Sequence, residues 1–193
     1  IAKEVGSPCY VYSRATLERH AQVFREGLSG LDKPHLAFAV KANPNLAVLH
    51  ILAAQGYGAD VVSAGEADRA LAAGIPAEDI VFSGVGKTAS EMRHTLEKGV
   101  GQFNIESEEE GRELAEVAAA MGLTANAVLR INPDVDAQTN AKISTGKAEN
   151  KFGVGLHTAA DIYEGLSSLP GLNLRGLATH IGSQLLNLDP LEA

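Results

Sequence analysis

Phe38-Ala39-Val40-Lys41-Ala42-Asn43-Pro44-Asn45 is the point at which an apolar run meets a turn. The run, Leu36 to Val40, has the composition of a buried strand, and the Asn-Pro-Asn that follows reads as a turn into a helix. Lys41 therefore stands at the carboxyl end of an interior strand. In a parallel α/β sheet or barrel that end faces the loops where ligands bind, which directs Lys41 into a site. An ammonium held against an apolar wall is partly desolvated. Its neutral form is then favoured, and it becomes a nucleophile able to form a Schiff base with a carbonyl. The competing reading is a solvated lysine that merely closes the strand.

Working outward, the same unit recurs. Strands are expected at Leu36–Val40, Gly58–Val62, Ile80–Phe82 and Gln102–Ile105. Helices are expected near Ala47–Gln55, Gly65–Ala73, Ala89–Lys98 and Glu108–Met121. Lys41, Val62, Ser83 and Asn104 follow one another at intervals of 21 residues, about the length of one strand, one helix and two short loops. A fifth apolar run, Ala127 to Ile131, precedes Asn132-Pro133-Asp134 and a long polar stretch to about Asn150. A helix at Thr158–Leu169 and a sixth strand at Leu174–Thr179 then lead to His180-Ile181-Gly182-Ser183. At the amino end, Ser7 to Tyr12 reads as a short strand and Ser13 as the N-cap of a helix from Arg14 to Gly27. Strict alternation without a half-way break predicts an α/β parallel barrel rather than a doubly wound sheet. The chain supplies about six of the eight units such a (β/α)8 barrel needs.

The composition narrows the partners. A net charge of −8 and a pI near 5.2 argue against nucleic acid or an anionic membrane surface. No apolar run approaches a membrane span, and the start lacks the regions of a signal peptide, so a cytoplasmic location is expected. The single cysteine, Cys9, has no partner for an internal disulfide and no ligand cluster around it, which leaves buried packing as its expected role. Ser83-Gly84-Val85-Gly86-Lys87-Thr88 resembles a nucleotide P-loop, but that loop needs a glycine five positions before Gly86, where Val81 stands. A glycine-rich turn feeding a helix is the better reading.

Further chemistry-bearing residues fall at strand ends. Asp60 is near the end of the second strand and Glu66 in the turn after it. Arg130 lies in the fifth strand, and His180 and Ser183 close the sixth. On a barrel these side chains converge on the face that presents Lys41. Singly, each has a structural alternative: Asp60 and Arg130 as a buried ion pair, Glu66 as a first-turn acid facing its helix dipole, and Ser183 as a turn residue.

Taken together, Tyr10-Val11-Tyr12, Phe38 to Asn43, Asp60 to Glu66, Phe82 to Thr88, Arg130 to Asp134, Ile143-Ser144-Thr145-Gly146, Asn150-Lys151-Phe152-Gly153 and His180 to Gln184 closely resemble the diaminopimelate decarboxylases. These are pyridoxal 5'-phosphate enzymes of the alanine-racemase-like fold, related to the ornithine and arginine decarboxylases. The resemblance covers nearly the whole chain and corresponds to the amino-terminal half of such an enzyme. Residues 1–193 are then a partial pyridoxal-phosphate-binding barrel, with residues 1–12 contributing a strand to a separate β domain.

The resemblance implies further roles. Lys41 is the residue that carries the cofactor, and His180 lies flat against its pyridine ring. Ser183 contacts its phosphate, while Asp60, Glu66 and Arg130 surround it. The loop ending at Lys151-Phe152-Gly153 matches a mobile active-site loop. The reaction implied is conversion of meso-2,6-diaminopimelate to L-lysine and carbon dioxide by a cytoplasmic homodimer acting on a small amino acid. The family's glycine-rich phosphate loop and substrate-reading residues are expected beyond Ala193, so this stretch alone is expected to be inactive. The alternatives are another basic amino-acid decarboxylase or racemase on the same fold, or a non-catalytic pyridoxal-phosphate-binding protein.

Overall fold

The computed structural model describes residues 1–135, 152–183 and 185–192. Short apolar runs form the strands β1 (Ala37–Ala39), β2 (Gly58–Val61), β3 (Ile80–Phe82), β4 (Gln102–Ile105), β5 (Ala125–Asn132), β6 (Val154–Gly155) and β7 (Leu172–Thr179). All pair in parallel, in the order β1-β2-β3-β4-β5-β6, and β7 also pairs with β5. The 21-residue interval of the sequence is the register itself: Ala37 lies opposite Gly58, Ala59 opposite Ile80, and Val81 opposite Gln102. β6 pairs with Ile131 and Asn132, beyond the Ile105–Leu129 pair at which β4 stops. Among the described residues β1, β6 and β7 have one partner each, so the parallel sheet is not closed into a barrel.

Helices follow the strands: α3 (Leu46–Ala54) after β1, α4 (Ala64–Ala72) after β2, α5 (Ala89–Glu97) after β3, α6 (Glu108–Ala120) after β4 and α7 (Leu156–Ser167) after β6. A four-residue helix, α8 (Asp189–Glu192), follows β7. Polar side chains start most of them. Asn45 accepts from Ala47 N–H, Ser63 from Glu66 N–H and Ser107 from Glu110 N–H, while Thr88 and Glu91 form a reciprocal capping box. Each cap accepts from an amide that the helix cannot pair itself. Because each cap follows its strand after a short connection of at most five residues, helix amino termini and strand carboxyl ends share one face of the molecule.

Period-two alternation divides the strands between two tasks. Ala59, Val61, Ile80, Phe82, Phe103, Ile105 and Leu129 are fully buried. They belong to one core cluster with residues of the helices, among them Ala67, Met92 and Leu114. Their neighbours Asp60, Val81, Asn104 and Arg130 are half-buried on the other face. The aromatic pair Phe82–Phe103, with ring centroids 5.9 Å apart, sits at the centre of the apolar layer.

The amino-terminal segment departs from expectation. A short helix, α1 (Ala2–Val5), opens the chain, and residues 6–12 form no strand. Tyr10 is 90% exposed, and no strand among the described residues lies beside this segment for its backbone to pair with. For the same reason Cys9 is exposed rather than packed. The next helix, α2 (Arg14–Gly27), starts at its Ser13 cap as expected. The motif residues 143–146, 150, 151 and 184, and the loop read as mobile up to Lys151, lie outside the described residues.

Candidate functional site

Lys41 sits in a single 3-10 turn, Val40–Ala42, directly after β1. Asn43 N–H closes the turn on Val40 C=O at 3.0 Å, and the Asn43 side chain accepts from Asn45 N–H at 3.1 Å. The lysine thus leaves the strand at a fixed point. It lines a cavity of about 530 Å³ at the carboxyl ends of the strands, together with Asp60, Ser83, Asn104, Arg130, Phe152, His180 and Ser183. Five of the six residues singled out in the sequence therefore meet around one space. The expected desolvated setting for Lys41 is not found, because the lysine is exposed on a cavity that the unclosed sheet leaves open.

Glu66 is the exception. It does not line the cavity. Its Oε2 accepts from Val62 N–H at 2.9 Å, and its own N–H donates to Ser63 Oγ at 3.2 Å. Glu66 thus acts as the first-turn acid of α4, satisfying amides at the helix start.

The suggested Asp60–Arg130 ion pair is also replaced, by two separate arrangements. Asp60 accepts a short hydrogen bond from Ser83 Oγ. Ser83 Oγ accepts from Asn104 Nδ2 at 2.9 Å, and Asn104 Oδ1 accepts from Gln102 Nε2 at 3.0 Å. This chain of polar contacts crosses β2, β3 and β4 on the cavity side. Arg130 instead donates from Nη1 to Glu106 at 2.8 Å, and its guanidinium lies 5.1 Å from the centre of the Phe152 ring. Ser83 and Asn104 are cavity residues that the sequence reading left without a role, although the 21-residue interval runs through both.

His180, at the end of β7, is held below the usual imidazole range. Partial desolvation is the largest cause, and the Arg130 and Lys41 charges add to it. A backbone hydrogen bond and the Asp60 carboxylate oppose the shift without cancelling it. Near neutral pH the ring is therefore uncharged and suited to stack on a flat ligand.

Lys87 of the P-loop-like stretch has a structural task. Its side chain is 1% exposed. Its Nζ donates to Asn104 C=O at 2.8 Å, to Gly84 C=O and to Glu110, which ties the ends of β3 and β4 to α6. Burial raises the Glu110 carboxyl above its ordinary range, and the Lys87 charge offsets only part of that. Among the described residues no three His, Cys, Asp or Glu side chains are grouped to hold a metal ion, and no helix is long and apolar enough to cross a membrane.

An amine, an uncharged imidazole, a carboxylate and a guanidinium meet around one cavity at the carboxyl ends of parallel strands. That is the end at which β/α proteins bind small ligands, and the amine is of a kind that can form a Schiff base with a carbonyl. The family model described as pyridoxal-dependent decarboxylase, pyridoxal binding domain, matches residues 14–193. The chain belongs to that family, whose cofactor is pyridoxal phosphate. It is 57% identical to the diaminopimelate decarboxylase of Zymomonas mobilis over 195 aligned positions, covering 100% of this chain and 46% of the relative. It is 54% identical to that of Pseudomonas fluorescens, covering 98% and 46%. Among solved structures, the diaminopimelate decarboxylase of Helicobacter pylori complexed with L-lysine superposes with a TM-score of 0.91 at 41% identity, over 96% of this chain and 47% of that one. A lysine decarboxylase from Selenomonas ruminantium gives 0.85 at 25% identity, over 99% and 46%. The chain spans about half the length of the curated relatives it matches.

Proposed function

We propose that this chain is the cofactor-binding part of a carboxy-lyase that converts meso-2,6-diaminopimelate to L-lysine and carbon dioxide. The observation that carries the proposal is the meeting of Lys41 and His180, with Asp60, Arg130 and Ser183, around a single cavity. The donor set fits pyridoxal 5'-phosphate. It offers a primary amine for the aldehyde, an uncharged ring to lie against the pyridine, and a hydroxyl at Ser183 for the phosphate. When bound, the cofactor supplies an electron sink for the pair left behind as carbon dioxide departs.

The chain's own residues supply position and protons. With the cofactor bound, His180 would help hold its ring and fix the orientation of the reacting group. Lys41 Nζ, besides attaching the cofactor, holds the proton that the decarboxylated carbon takes up. Asp60 is held in orientation by the hydrogen bond it accepts from the Ser83 hydroxyl. Arg130 and Phe152 close the side of the cavity on which Glu106 lies, limiting the access of water to the reacting carbon.

The choice of substrate is supported by relatives. Curated diaminopimelate decarboxylases match at 40 to 57% identity, whereas the lysine decarboxylase that shares the fold is 25% identical. A homodimeric assembly and a cytoplasmic location belong to the same proposal and rest on the family resemblance. Borohydride reduction in the presence of pyridoxal 5'-phosphate, followed by peptide mapping, tests the core of the reading. Label is expected on Lys41, and label on any other lysine would refute the assignment.

A further inference from the structure

We infer that Glu106, which does not line the cavity, is a positioning residue that holds one wall of it in place. The inference rests on the reading above, in which Arg130 and Phe152 border the cofactor. Glu106 directly follows β4, and its side chain is 3% exposed. Both carboxylate oxygens are taken by groups distant in sequence. Oε1 accepts from Arg130 Nη1 at 2.8 Å, 24 residues away, and Oε2 accepts from Gly153 N–H at 3.1 Å, 47 residues away. Its own N–H donates to Glu110 Oε2 at 3.2 Å, and Glu110 is in turn clamped by Lys87.

Unlike Glu66, Glu91 or Glu110, Glu106 satisfies no amide of a helix start. It joins β4, β5 and the backbone that leads into β6. Position 153 is suited to this contact only as glycine. Its φ is +73°, and a Cβ there would lie 2.9 Å from Arg130 C=O and 3.2 Å from Asn132 N. The adjacent Phe152 then falls on the Arg130 guanidinium, 5.1 Å from ring centre to Cζ, and both side chains face the cavity. A single buried carboxylate thus fixes a charge and an aromatic ring together. Without it, the 13%-exposed guanidinium loses its counter-charge and turns toward another acceptor, and Phe152 loses the platform on which it rests.

The test uses the full chain as wild type, Glu106→Gln, Arg130→Gln and the double variant. Two quantities are read for each: the dissociation constant for pyridoxal 5'-phosphate, and the circular dichroism of the bound cofactor's visible band, which reports how rigidly the ring is oriented. Glu106→Gln is expected to raise the dissociation constant about tenfold and to weaken the band per bound cofactor. The double variant is expected to be no worse than Arg130→Gln alone, because the glutamate acts through the arginine. Additive losses in the double variant, or an unchanged constant and band in Glu106→Gln, overturn the inference. Should Glu106→Gln fail to fold, Glu106→Asp keeps the charge but shortens its reach, and unchanged cofactor affinity there is equally fatal. If Arg130→Gln weakens binding while Glu106→Gln does not, only the positioning role is wrong. If neither variant matters and borohydride labels a lysine other than Lys41, the functional reading fails with it.

Discussion

Replacing Lys87 by methionine removes the cation that, among the described residues, contacts the Glu110 carboxylate, and leaves the carbonyl oxygens of Gly84 and Asn104 without its Nζ as donor. The two side chains are 1% and 11% exposed, so water does not compensate. Removing one partner of such a buried pair costs about 3–5 kcal/mol. The pH dependence separates this cause from a simple packing defect. The Glu110 carboxyl is already raised above its ordinary value of 4.5 by burial, with Lys87 pulling it partly back. In the variant the opposing charge is gone and the carboxyl rises further.

A carboxyl raised in the folded state binds more protons folded than unfolded as pH climbs above the ordinary carboxylate range, so stability falls with increasing pH there. The deficit of Lys87→Met is therefore smallest near pH 4.5 and grows toward neutrality until the raised carboxyl has ionised. Denaturant melts of wild type and variant at pH 4.5, 6 and 8 measure this directly. The double variant Lys87→Met, Glu110→Leu is expected to recover only the part of the loss that comes from the unpaired carboxylate, since the Gly84 and Asn104 carbonyls still lack the Nζ donor and the Glu106 N–H loses its acceptor. A deficit below about 1 kcal/mol, or one that is the same at all three pH values, would show that the pair is solvated and the reasoning wrong.

Three further outcomes are expected. His180 should titrate below the ordinary imidazole value of 6.5, followed by the NMR shift of its ring protons. Because its neutral form is the favoured one, its contribution to stability is present above about pH 6.5 and is lost as pH falls through the depressed value. A midpoint at or above 6.5 contradicts the desolvation and charge argument. Phe82→Ala, at a fully buried position against Phe103, should destabilise by about 3–5 kcal/mol in urea unfolding, and a loss under about 1 kcal/mol would mean that the layer collapses around the gap. Thr88→Ala removes the capping box of α5 and should cost about 1 kcal/mol. It should also let the Glu91 carboxyl rise: burial pushes that group up, but hydrogen bonds from Ala64 N–H, Thr88 N–H and the Thr88 hydroxyl hold it down overall, a change that NMR titration would register.

Much of the architecture could be read from the chain because the first four strands repeat without drift. An equal spacing of 21 residues is also an equal register, so finding the strands amounted to finding their partners. Lys41, Asp60, Arg130 and His180 stood out as polar groups at or beside the ends of apolar runs, where alternation assigns them to the face opposite the core. Glu106 did not stand out. It belongs to a run with Glu108, Glu109 and Glu110, and nothing local separates the one acid whose partners lie 24 and 47 residues away from neighbours that face solvent or a helix terminus. Asp60 and Arg130 have opposite charges on the same face, which made a pair plausible; only the fold shows nearer partners for each. The two-residue β6 is too short to have a period at all.

The alternation along these strands has a further consequence for how such a protein can change over time. Val61 and Asp60 are adjacent in the chain, yet one packs among apolar neighbours and the other lines the cavity. Exchanging residues at 60, 83 or 104 changes groups that face the cavity while the apolar layer behind them keeps its own residues. A lineage can therefore acquire new ligands by rewriting every second letter of a few short strands, and keep the scaffold in the letters between.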